Sequence, residues 1–356
     1  MKPKPLETEF DSPAQFFSRI VGRPEIELLS DQEVRGFFTN KRVLITGAGG
    51  TIGSAVARRL ANAGIPFTFY LDRDESALHA LALSLSDRAA SHSDKCFVGD
   101  VKDGVGINAI FKSVKPDIVI HTAALKHLVV LERFPREGFN TNIYGTLNVL
   151  NAAMECGASN FLNVSTDKAA LPTSILGKTK LVAEHITHDF FSDHFVSNSV
   201  RFGNVFASRG SVIETFMHQL QNDLPVTITD PEVTRFFMSH NEAANLILAT
   251  CMMKEKAVYV QEMGTRVRIT DVVERLAESI GKKPNLKFVG LESGEKLHED
   301  LYDGEYSQTT IPSIVKLVTP QNPGARKYLH ELTPPGTDFE AKVLLDNFLT
   351  TQRRTK

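Results

Sequence analysis

The sequence feature that most constrains the fold is a glycine-rich turn between an apolar strand and an amphipathic helix. Residues 42–46 (RVLIT) form the predicted strand, and the turn after it has the spacing G-x-x-G-x-x-G. Glycines let the backbone turn tightly and approach a pyrophosphate, and the amino terminus of the helix then stabilises the anion. This order of elements favours dinucleotide binding over a purely structural turn. The residues predicted to contact the dinucleotide here are Gly47, Gly50, Thr51, Ile52 and Gly53.

A second predicted strand, residues 67–71, is followed directly by Asp72 and Arg73. An acid about 20 residues beyond the glycine turn can accept hydrogen bonds from the adenosine ribose. Asp72 could instead cap the next helix, and one carboxylate can serve both purposes. The carboxylate favours NAD because it repels a 2′-phosphate, whereas Arg73 is able to bind that phosphate. The predicted cofactor is therefore NAD, with NADP kept as an alternative.

Composition limits the class of protein. A chain of 356 residues that is 42% hydrophobic can build a sizeable core and two lobes. Its net charge of −2 argues against a nucleic-acid or membrane-surface partner. Three cysteines without CxxC spacing favour a reducing compartment, and no apolar run approaches the length of a membrane span. We therefore expect a cytoplasmic protein with no nucleic-acid and no membrane partner.

A group of histidines raises the possibility of a metal site. His185, His188 and His194 lie close together in the sequence, and the first two share a helix face. Zinc needs further ligands in a defined geometry, and nothing supplies them at motif spacing. We predict no metal.

The stretch 163–184 (NVSTDKAALPTSILGKTKLVAE) carries most of the chemically active groups. Thr166, Asp167 and Lys168 place a hydroxyl, a carboxylate and an amine at the end of a short apolar strand. Lys180 follows from a helix whose apolar positions recur at helical spacing. Ligands bind at the carboxyl edge of an open α/β sheet, so these groups are catalytic candidates. The alternative is an ordinary polar loop with a solvated lysine.

The same stretch resembles the signature of the bacterial UDP-N-acetylglucosamine 4,6-dehydratases. This family consists of extended short-chain dehydrogenase/reductases of the polysaccharide-biosynthesis type, and the resemblance covers about residues 22–304. The matching positions are Thr166, Asp167, Lys168, Pro172, Thr173, Gly177 and Lys180.

The resemblance and the element pattern imply an α/β fold: a doubly wound parallel sheet of the Rossmann type with a smaller C-terminal substrate lobe. The predicted organisation is an N-terminal extension (1–40), an NAD-binding Rossmann domain (41–200), a discontinuous substrate lobe (201–335) and a C-terminal helix with a tail (336–356). Some segments of the lobe are expected to return to the Rossmann sheet. We expect the extension to pack on the nucleotide domain or a neighbouring subunit, and the protein to form a homo-oligomer.

For activity, the resemblance implies an NAD-dependent lyase that converts UDP-N-acetylglucosamine or a related UDP-sugar to a 4-keto-6-deoxy sugar. Asp167 would be the acid at O6 and Lys168 the base at C5, with Thr166 near O4. Lys180 would hold the nicotinamide ribose and lower nearby pKa values through its charge. Leu176 is a departure, because most short-chain dehydrogenases have Tyr there and some dehydratases of this family have Met. Leucine cannot carry a proton, so either Lys168, Asp167 or a water relays the C4 proton, or the chemistry is altered or lost.

Further positions match family residues beside the two ligands. Cofactor contacts are implied for Asp100, Val101, Ala123, Ala124 and Asn142, as well as Lys180. Substrate contacts are implied for Lys126, His127, Asn204, Arg209, Gly210, Ser211, Arg235 and Glu295. The family has an arginine where this chain has Glu292, so the substrate identity stays open at this position.

Two other functions are compatible with these motifs. A nucleotide-sugar 4-epimerase would use the same cofactor and 4-ketone but needs no acid at O6, so Asp167 and Lys168 disfavour it. A non-catalytic NAD-binding protein would keep the glycine turn and lose the proton-transfer groups. Leu176 fits that alternative, whereas Asp167, Lys168 and Lys180 together speak against it.

Overall fold

The computed structural model describes residues 12–86, 94–317 and 334–354. Within these residues the strands are β1 (Val43–Thr46), β2 (Thr68–Asp72), β3 (Cys96–Val98), β4 (Ile118–His121), β5 (Asn160–Thr166), β6 (Val196–Phe202), β7 (Asn204–Val205), β8 (Val226–Ile228), β9 (Thr234–Arg235), β10 (Phe237–Met238), β11 (Val258–Gln261), β12 (Val267–Arg268), β13 (Leu286–Phe288), β14 (Tyr306–Gln308) and β15 (Ile314–Leu317). Nine of them form one sheet in the order β14-β15-β11-β6-β5-β4-β1-β2-β3.

The helices of the described residues are α1 (Pro13–Val21), α2 (Asp31–Phe38), α3 (Thr51–Asn62), α4 (Glu75–Leu85), α5 (Gly104–Val114), α6 (Leu128–Arg133), α7 (Pro135–Phe139), α8 (Gly145–Glu155), α9 (Ile175–Asp189), α10 (Val212–Gln221), α11 (His240–Met252), α12 (Ile269–Ser279) and α13 (Asp338–Arg354). A π-helical turn, Asn140–Tyr144, joins α7 to α8, and a 3₁₀ turn, Asp167–Ala169, follows β5.

The central sheet is buried on both faces. Along β1, Val43 and Ile45 belong to one apolar cluster with α2, α3 and α11, whereas Leu44 belongs to the opposite cluster with α5, α8, α9 and α13. Strands covered on both sides are continuously apolar rather than alternating, which explains the sequences VLIT and IVIH in β1 and β4. The predicted doubly wound sheet is confirmed.

The direction of the strands locates the ligand crevice. Within the central sheet, the strands β11, β6, β5, β4, β1, β2 and β3 run parallel to one another. At one edge, β15 and β14 are added in antiparallel orientation. The chain order reverses between β1, which continues to β2 on one side, and β4 on the other. A crevice opens at such a reversal, outside the carboxyl ends of the strands. The glycine turn follows β1, and residues 122–125 follow β4, so both lie there.

A smaller lobe has its own apolar cluster, built from α1, α10, α12 and the strand pair β8–β13. Beyond residue 201, β11, β14 and β15 lie in the central sheet rather than in this lobe. The first part of the chain joins both units, because α1 packs in the lobe cluster and α2 in the sheet cluster. The predicted domains also include residues 1–11 and 318–333, which lie outside the described residues.

Candidate active site

The glycine turn has the backbone geometry that a dinucleotide site needs. Gly47 has φ +68°, and a Cβ there would lie 2.7 Å from the Ala123 backbone. At Gly53, in the first turn of α3, a Cβ would lie 2.3 Å from the Gly47 carbonyl oxygen. Side chains at these positions would force the turn away from α3 and from the loop after β4. The glycines therefore allow the turn to lie against α3 and the loop after β4, while the approach to a pyrophosphate stays a prediction.

A cavity of about 220 Å³ opens over this turn. It is lined by Gly47, Gly49, Gly50, Leu71, Asp72, Arg73, Asp74, Ala77, Gly99, Asp100, Val101, Thr122, Ala123, Ala124, Leu125, Thr141 and Arg209. Eight predicted cofactor positions are among them: Gly47, Gly50, Asp72, Arg73, Asp100, Val101, Ala123 and Ala124. Backbone, small side chains and one helix amino terminus form its floor, which fits an extended dinucleotide.

Asp72 organises the wall of this cavity. It ends β2, and its Oδ2 accepts a hydrogen bond from the Gly49 amide at 2.9 Å, while its Oδ1 accepts one from the Asp74 amide at 3.0 Å. Each oxygen keeps a second lone pair for a ribose hydroxyl. Gly49 was missed by the sequence analysis, although the doublet Gly49-Gly50 was a usable signal. Asp74, rather than Asp72, caps α4.

The predicted catalytic residues come together at the end of β5. Thr166 is the last residue of the strand, and the 3₁₀ turn bends the chain so that the Lys168 Nζ donates to Asp167 Oδ1 at 3.0 Å. The Thr166 hydroxyl donates to the same oxygen at 2.9 Å. α9 packs closely under this turn, since a Cβ at Gly177 would lie 2.1 Å from the Lys168 carbonyl oxygen.

Lys168 is surrounded by oxygen acceptors. Besides Asp167, its Nζ lies 3.4 Å from Asn204 Oδ1 and 3.5 Å from Glu299 Oε1. Burial alone would lower the pKa of the Lys168 amine, but the attraction of Asp167 and Glu299 outweighs it, so this pKa is raised. Lys168 is therefore an ammonium at neutral pH, in contact with two carboxylates.

The two carboxylates of this cluster are only partly satisfied. Asp167 and Glu299 are both buried, and Asp167 Oδ2 and Glu299 Oε2 have no hydrogen-bond partner within the described part of the chain. A buried acceptor without a donor is costly, so such oxygens are suited to receive a ligand hydroxyl or a proton. Sequence reasoning missed Glu299, because nothing local in the sequence links it to residues 166–168.

Lys180 enters the same region from α9, although neither it nor residues 166–168 line the dinucleotide cavity. Its Nζ lies 3.4 Å from Asn163 Oδ1, and the side chain is buried. Burial lowers the pKa of Lys180 to about 8, with Glu184 acting in the opposite direction. Leu176, one helical turn earlier, is buried in the apolar cluster beneath the sheet.

Asn142 lies behind the cavity rather than in its wall. Its amide accepts from the Leu125 N–H at 2.8 Å and donates to the Thr179 hydroxyl at 3.1 Å. It therefore fixes the loop after β4 relative to α9. The residues Thr51 and Ile52 begin α3 under the turn.

The loop of residues 206–211 closes over the glycine turn. The Arg209 amide donates to Thr51 Oγ1 at 3.2 Å, and the Lys126 Nζ donates to the Arg209 carbonyl at 2.8 Å. Gly210, with φ +69°, packs against the His127 ring. Arg209 also lines the dinucleotide cavity, while its contact with substrate stays a prediction. Ser211 begins α10 with its hydroxyl buried and without a partner among the described residues.

Arg235 was predicted to bind phosphate, and the structure shows it in contact with protein oxygens. Its Nη2 donates to Glu295 Oε1 at 2.7 Å, and its Nη1 donates to the carbonyls of Thr234 and Leu297. Glu295 also accepts from the Glu292 amide at 3.2 Å. Arg235 and Glu295 thus anchor residues 294–299 beside the 3₁₀ turn, while their substrate contacts stay a prediction.

α9 is held to the sheet by a buried ion pair. Arg201 donates to both Glu184 oxygens, at 2.8 and 2.7 Å, and its Nη1 reaches Asp303 at 3.1 Å. The Ser165 hydroxyl donates to Glu184 as well, at 2.5 Å. This network connects β5, α9 and β6 directly behind Asp167 and Lys180.

The histidines have structural environments. His188 is buried with its Nε2 3.2 Å from the Ala257 carbonyl oxygen, and burial lowers its pKa to about 3. His185 packs against the Phe348 ring. Across the described ranges, no group of three or more His, Cys, Asp or Glu side chains is placed to hold a metal ion. None of the helices described is both long and apolar enough to cross a bilayer.

Comparison with known proteins places this geometry in a family. The family model described as "Polysaccharide biosynthesis protein" matches residues 43–318. The capsular polysaccharide biosynthesis protein CapD of Staphylococcus aureus is 37% identical over 79% of this chain and 48% of its own length. A UDP-glucose 4-epimerase of Rickettsia canadensis is 32% identical over 75% of this chain and 79% of its own length. The chain thus spans about half the length of CapD.

Solved structures share the fold. Pen from Bacillus thuringiensis has a TM-score of 0.73 at 28% identity, covering 80% of this chain and 91% of Pen. DesIV, a dTDP-glucose 4,6-dehydratase from Streptomyces venezuelae solved with NAD bound, has a TM-score of 0.64 at 19% identity, covering 74% of this chain and 88% of DesIV.

The sheet reversal, the glycine turn and the lysine of α9 define an extended short-chain dehydrogenase/reductase. Within that class, the match over most of the chain shows that this protein belongs to the polysaccharide biosynthesis protein family.

Proposed function

We propose that this protein is an NAD-dependent nucleotide-sugar 4,6-dehydratase that acts on UDP-N-acetylglucosamine or a related UDP-sugar. The observation that carries the proposal is the contact of 3.0 Å between the Lys168 amine and the Asp167 carboxylate at the edge of the sheet where the dinucleotide cavity opens. An acid and a base side by side are what elimination of water across C5 and C6 requires.

NAD, when bound, would supply the hydride chemistry that links C4 and C6 of the sugar. Gly47, Gly50 and Asp72 would hold its adenosine half, and Lys180 would hold the nicotinamide ribose. The C4 ketone acidifies the C5 hydrogen, which Lys168 removes while Asp167 protonates the departing C6 hydroxyl. Thr166, which donates to Asp167 at 2.9 Å, lies within reach of O4 in this assignment.

The resting protonation states are the reverse of those that this step needs. Lys168 is an ammonium and Asp167 a carboxylate, whereas elimination requires a neutral amine and a carboxylic acid. One proton moved along the hydrogen bond between Lys168 Nζ and Asp167 Oδ1 gives that pair without an outside donor. Asp167 Oδ1 then carries the proton that passes to the departing C6 hydroxyl, and Oδ2, without a partner among the described residues, remains an acceptor for a ligand hydroxyl.

Leu176 changes how the C4 hydroxyl loses its proton. Leucine cannot accept a proton, and its side chain is buried among apolar residues. We assign the transfer of this proton to a bound water beside the Thr166 hydroxyl, which passes it to solvent, with the Lys180 charge lowering the pKa of the sugar hydroxyl.

The cofactor assignment is supported by Asp72, whose carboxylate repels a 2′-phosphate, and by a structural neighbour that contains NAD. Titration of the cofactor-free protein should give tighter binding of NAD than of NADP. Clear preference for NADP would contradict the role of Asp72 and would point to Arg73 or Arg209 as phosphate ligands.

An epimerase is the second candidate, because relatives of 32–33% identity are named UDP-glucose 4-epimerase. An epimerase inverts C4 and keeps the C6 hydroxyl. C4 epimerisation needs no acid at O6, so the buried Asp167 next to Lys168 has no role in that reaction. The epimerase therefore has weaker support than the dehydratase.

The test is incubation with UDP-N-acetylglucosamine in deuterium oxide, followed by NMR of the product. The dehydratase gives a C6 methyl group, a 4-ketone or its hydrate, and one deuterium at C5. Asp167→Asn should stop water loss while the cofactor still becomes reduced. A C4 epimer without carbon-bound deuterium would establish the epimerase instead, and no product with any UDP-sugar would favour a binding protein.

A further inference from the structure

We propose that Glu299 is a positioning residue for Lys168: its buried carboxylate holds the amine and stabilises the ammonium that forms when Lys168 takes the C5 proton. This inference rests on the dehydratase function proposed above. It adds a third group, from a distant part of the chain, to the Asp167–Lys168 pair.

The surroundings of the Lys168 Nζ fit an ammonium. An ammonium has three N–H donors and no acceptor. Three oxygens face it: Asp167 Oδ1 at 3.0 Å, Asn204 Oδ1 at 3.4 Å and Glu299 Oε1 at 3.5 Å. They come from the 3₁₀ turn, from β7 and from residues 294–299, so the amine is held from three separate segments.

Glu299 is fixed in place by its own segment. The Lys296 Nζ donates to the Ala170 carbonyl at 2.7 Å, and the Thr173 hydroxyl donates to the Gly294 carbonyl at 2.9 Å. The Thr234 amide donates to the Leu297 carbonyl at 3.1 Å on the other side. Residues 294–299 are therefore attached to the loop that carries Lys168, which keeps the Glu299 backbone close to that loop.

Burial makes this carboxylate electrostatically effective. Its side chain is 2% exposed, and Oε2 has no hydrogen-bond partner among the described residues. A buried carboxylate is costly unless a cation compensates it. The charged groups that act on Lys168 are Asp167, Glu299 and Arg235, and Arg235 is already paired with Glu295. The two acids raise the pKa of Lys168 against burial and Arg235.

The elimination step gives Glu299 its role. As the C5–H bond breaks, its proton forms a bond to the Lys168 nitrogen and its electron pair forms the C5–C6 double bond. The C6–O bond breaks, and its oxygen leaves as water with the proton of Asp167. Positive charge grows on Lys168 while Asp167 becomes negative. A buried carboxylate next to the base stabilises that growing charge more than the neutral amine, so it lowers the barrier.

Glu299→Gln tests this directly, because the amide keeps the shape and an acceptor oxygen but removes the charge. The neighbouring Asp300→Asn is the matched control, since Asp300 is exposed and pairs with Arg266. We expect Glu299→Gln to lower the plateau kcat on the order of tenfold to a hundredfold, part of what a general base contributes. KM should hardly change, and the limb of the pH profile that falls as the Asp167–Lys168 pair loses its shared proton should move to lower pH.

A second measurement does not depend on turnover. Competitive acetylation across pH, read by mass spectrometry of the peptide that contains Lys168, reports when this amine becomes neutral. Acetylation should begin at lower pH in Glu299→Gln than in the wild type and in Asp300→Asn. Glu299→Asp keeps the charge at a longer distance and should lie between, and it replaces the glutamine variant if that variant does not fold.

An unchanged acetylation profile together with a wild-type kcat in Glu299→Gln would overturn the inference. If the wild type converts no nucleotide-sugar, the proposed function fails, and acetylation still decides about Glu299. A shift then supports the electrostatic link to Lys168, and its absence overturns it.

Discussion

The pKa values of two lysines, Lys168 in the turn after β5 and Lys180 in α9, are shifted in opposite directions by their surroundings. Lys168 faces Asp167 and Glu299, so its pKa is raised, whereas Lys180 is buried with Glu184 as the main opposing influence, and its pKa falls to about 8. Pairs of titratable groups whose pKa values are pushed apart mark acid and base roles in an active site. At the residue scale, this contrast distinguishes the site from a solvated polar loop.

The depressed pKa of Lys180 predicts a conflict between function and stability. In the unfolded chain this amine has its ordinary pKa of 10.5, and in the folded chain about 8. Between these values the unfolded state binds more protons, so wild-type stability rises with pH through this window. Lys180→Met should stabilise the cofactor-free protein below pH 8, on the order of 2–3 kcal/mol. That advantage should vanish above about pH 10.5.

The same variant should lose turnover and bind the cofactor more weakly, since a ribose contact and a fixed charge are gone. Urea unfolding at several pH values, alongside the NMR assay, measures both effects. Lys178→Met is the control on α9, because that amine pairs with an exposed aspartate, Asp346. Turnover at the wild-type rate would remove Lys180 from the catalytic site.

Gly177 carries a second prediction at the residue scale. A Cβ there would lie 2.1 Å from the Lys168 carbonyl oxygen. Gly177→Ala must therefore move the 3₁₀ turn that carries Asp167 and Lys168 by about 1 Å, and such a misplacement can cost about a hundredfold in rate. NAD affinity should change little because the cavity lies elsewhere. Gly36→Ala is the control, as no atom lies within 4 Å of its Cβ position in α2. Equal kcat in Gly177→Ala and the wild type would contradict the tight packing.

The site residues that could be predicted from the sequence are those that lie next to one another along the chain. Thr166, Asp167 and Lys168 are adjacent, and the strand before them signals the sheet edge, so their meeting was predictable. Glu299 is brought to the same amine by the fold of the substrate lobe, and no local sequence pattern indicates that contact. The ion pair of Arg235 was unpredictable for the same reason, because its partner Glu295 lies in that distant segment.

At the scale of elements, α9 is the helix on which the site depends. It carries Lys180, and its Gly177 packs under the 3₁₀ turn. The Glu184–Arg201 ion pair attaches it to β6. Its start was readable from sequence, because Ser174 caps it and Pro172 stands just before it. The π-helical turn around Asn142 was not readable, since its cause is the contact of that amide with Leu125 and Thr179.

The ion pair predicts strong non-additivity between its partners. Arg201→Met leaves the Glu184 carboxylate buried without its cation, and loss of one partner of such a pair costs about 3–5 kcal/mol. The double variant Arg201→Met/Glu184→Leu removes both charges and should be more stable than Arg201→Met alone. Denaturant unfolding of the wild type, Arg201→Met, Glu184→Leu and the double variant tests this, with Lys282→Met as a surface-pair control. A double variant less stable than Arg201→Met would contradict this account.

At the scale of the whole molecule, residues 12–38 connect the apolar cluster of the smaller lobe to the sheet cluster that contains α2. Phe17 in α1 packs edge-on against Phe206 in the lobe, 5.7 Å between ring centroids, and Phe38 in α2 is fully buried beside the sheet. Between them, Arg23 donates to Glu242 at the start of α11 at 2.6 Å. The loop that closes over the glycine turn begins at Phe206, so support from α1 extends to the cavity wall.

This connection predicts that the two units unfold together. Phe17→Ala and Phe38→Ala each remove a buried ring, which costs about 3–5 kcal/mol, and both should lower the midpoint of one calorimetric transition. Phe339→Ala, whose side chain is 76% exposed, should leave it unchanged. Saturating NAD, bound at the sheet, should raise the transition of Phe17→Ala as it raises the wild type, because one linked equilibrium governs both clusters. Two separate transitions, with Phe17→Ala lowering only the one that NAD does not shift, would mean that the lobe folds independently of the sheet.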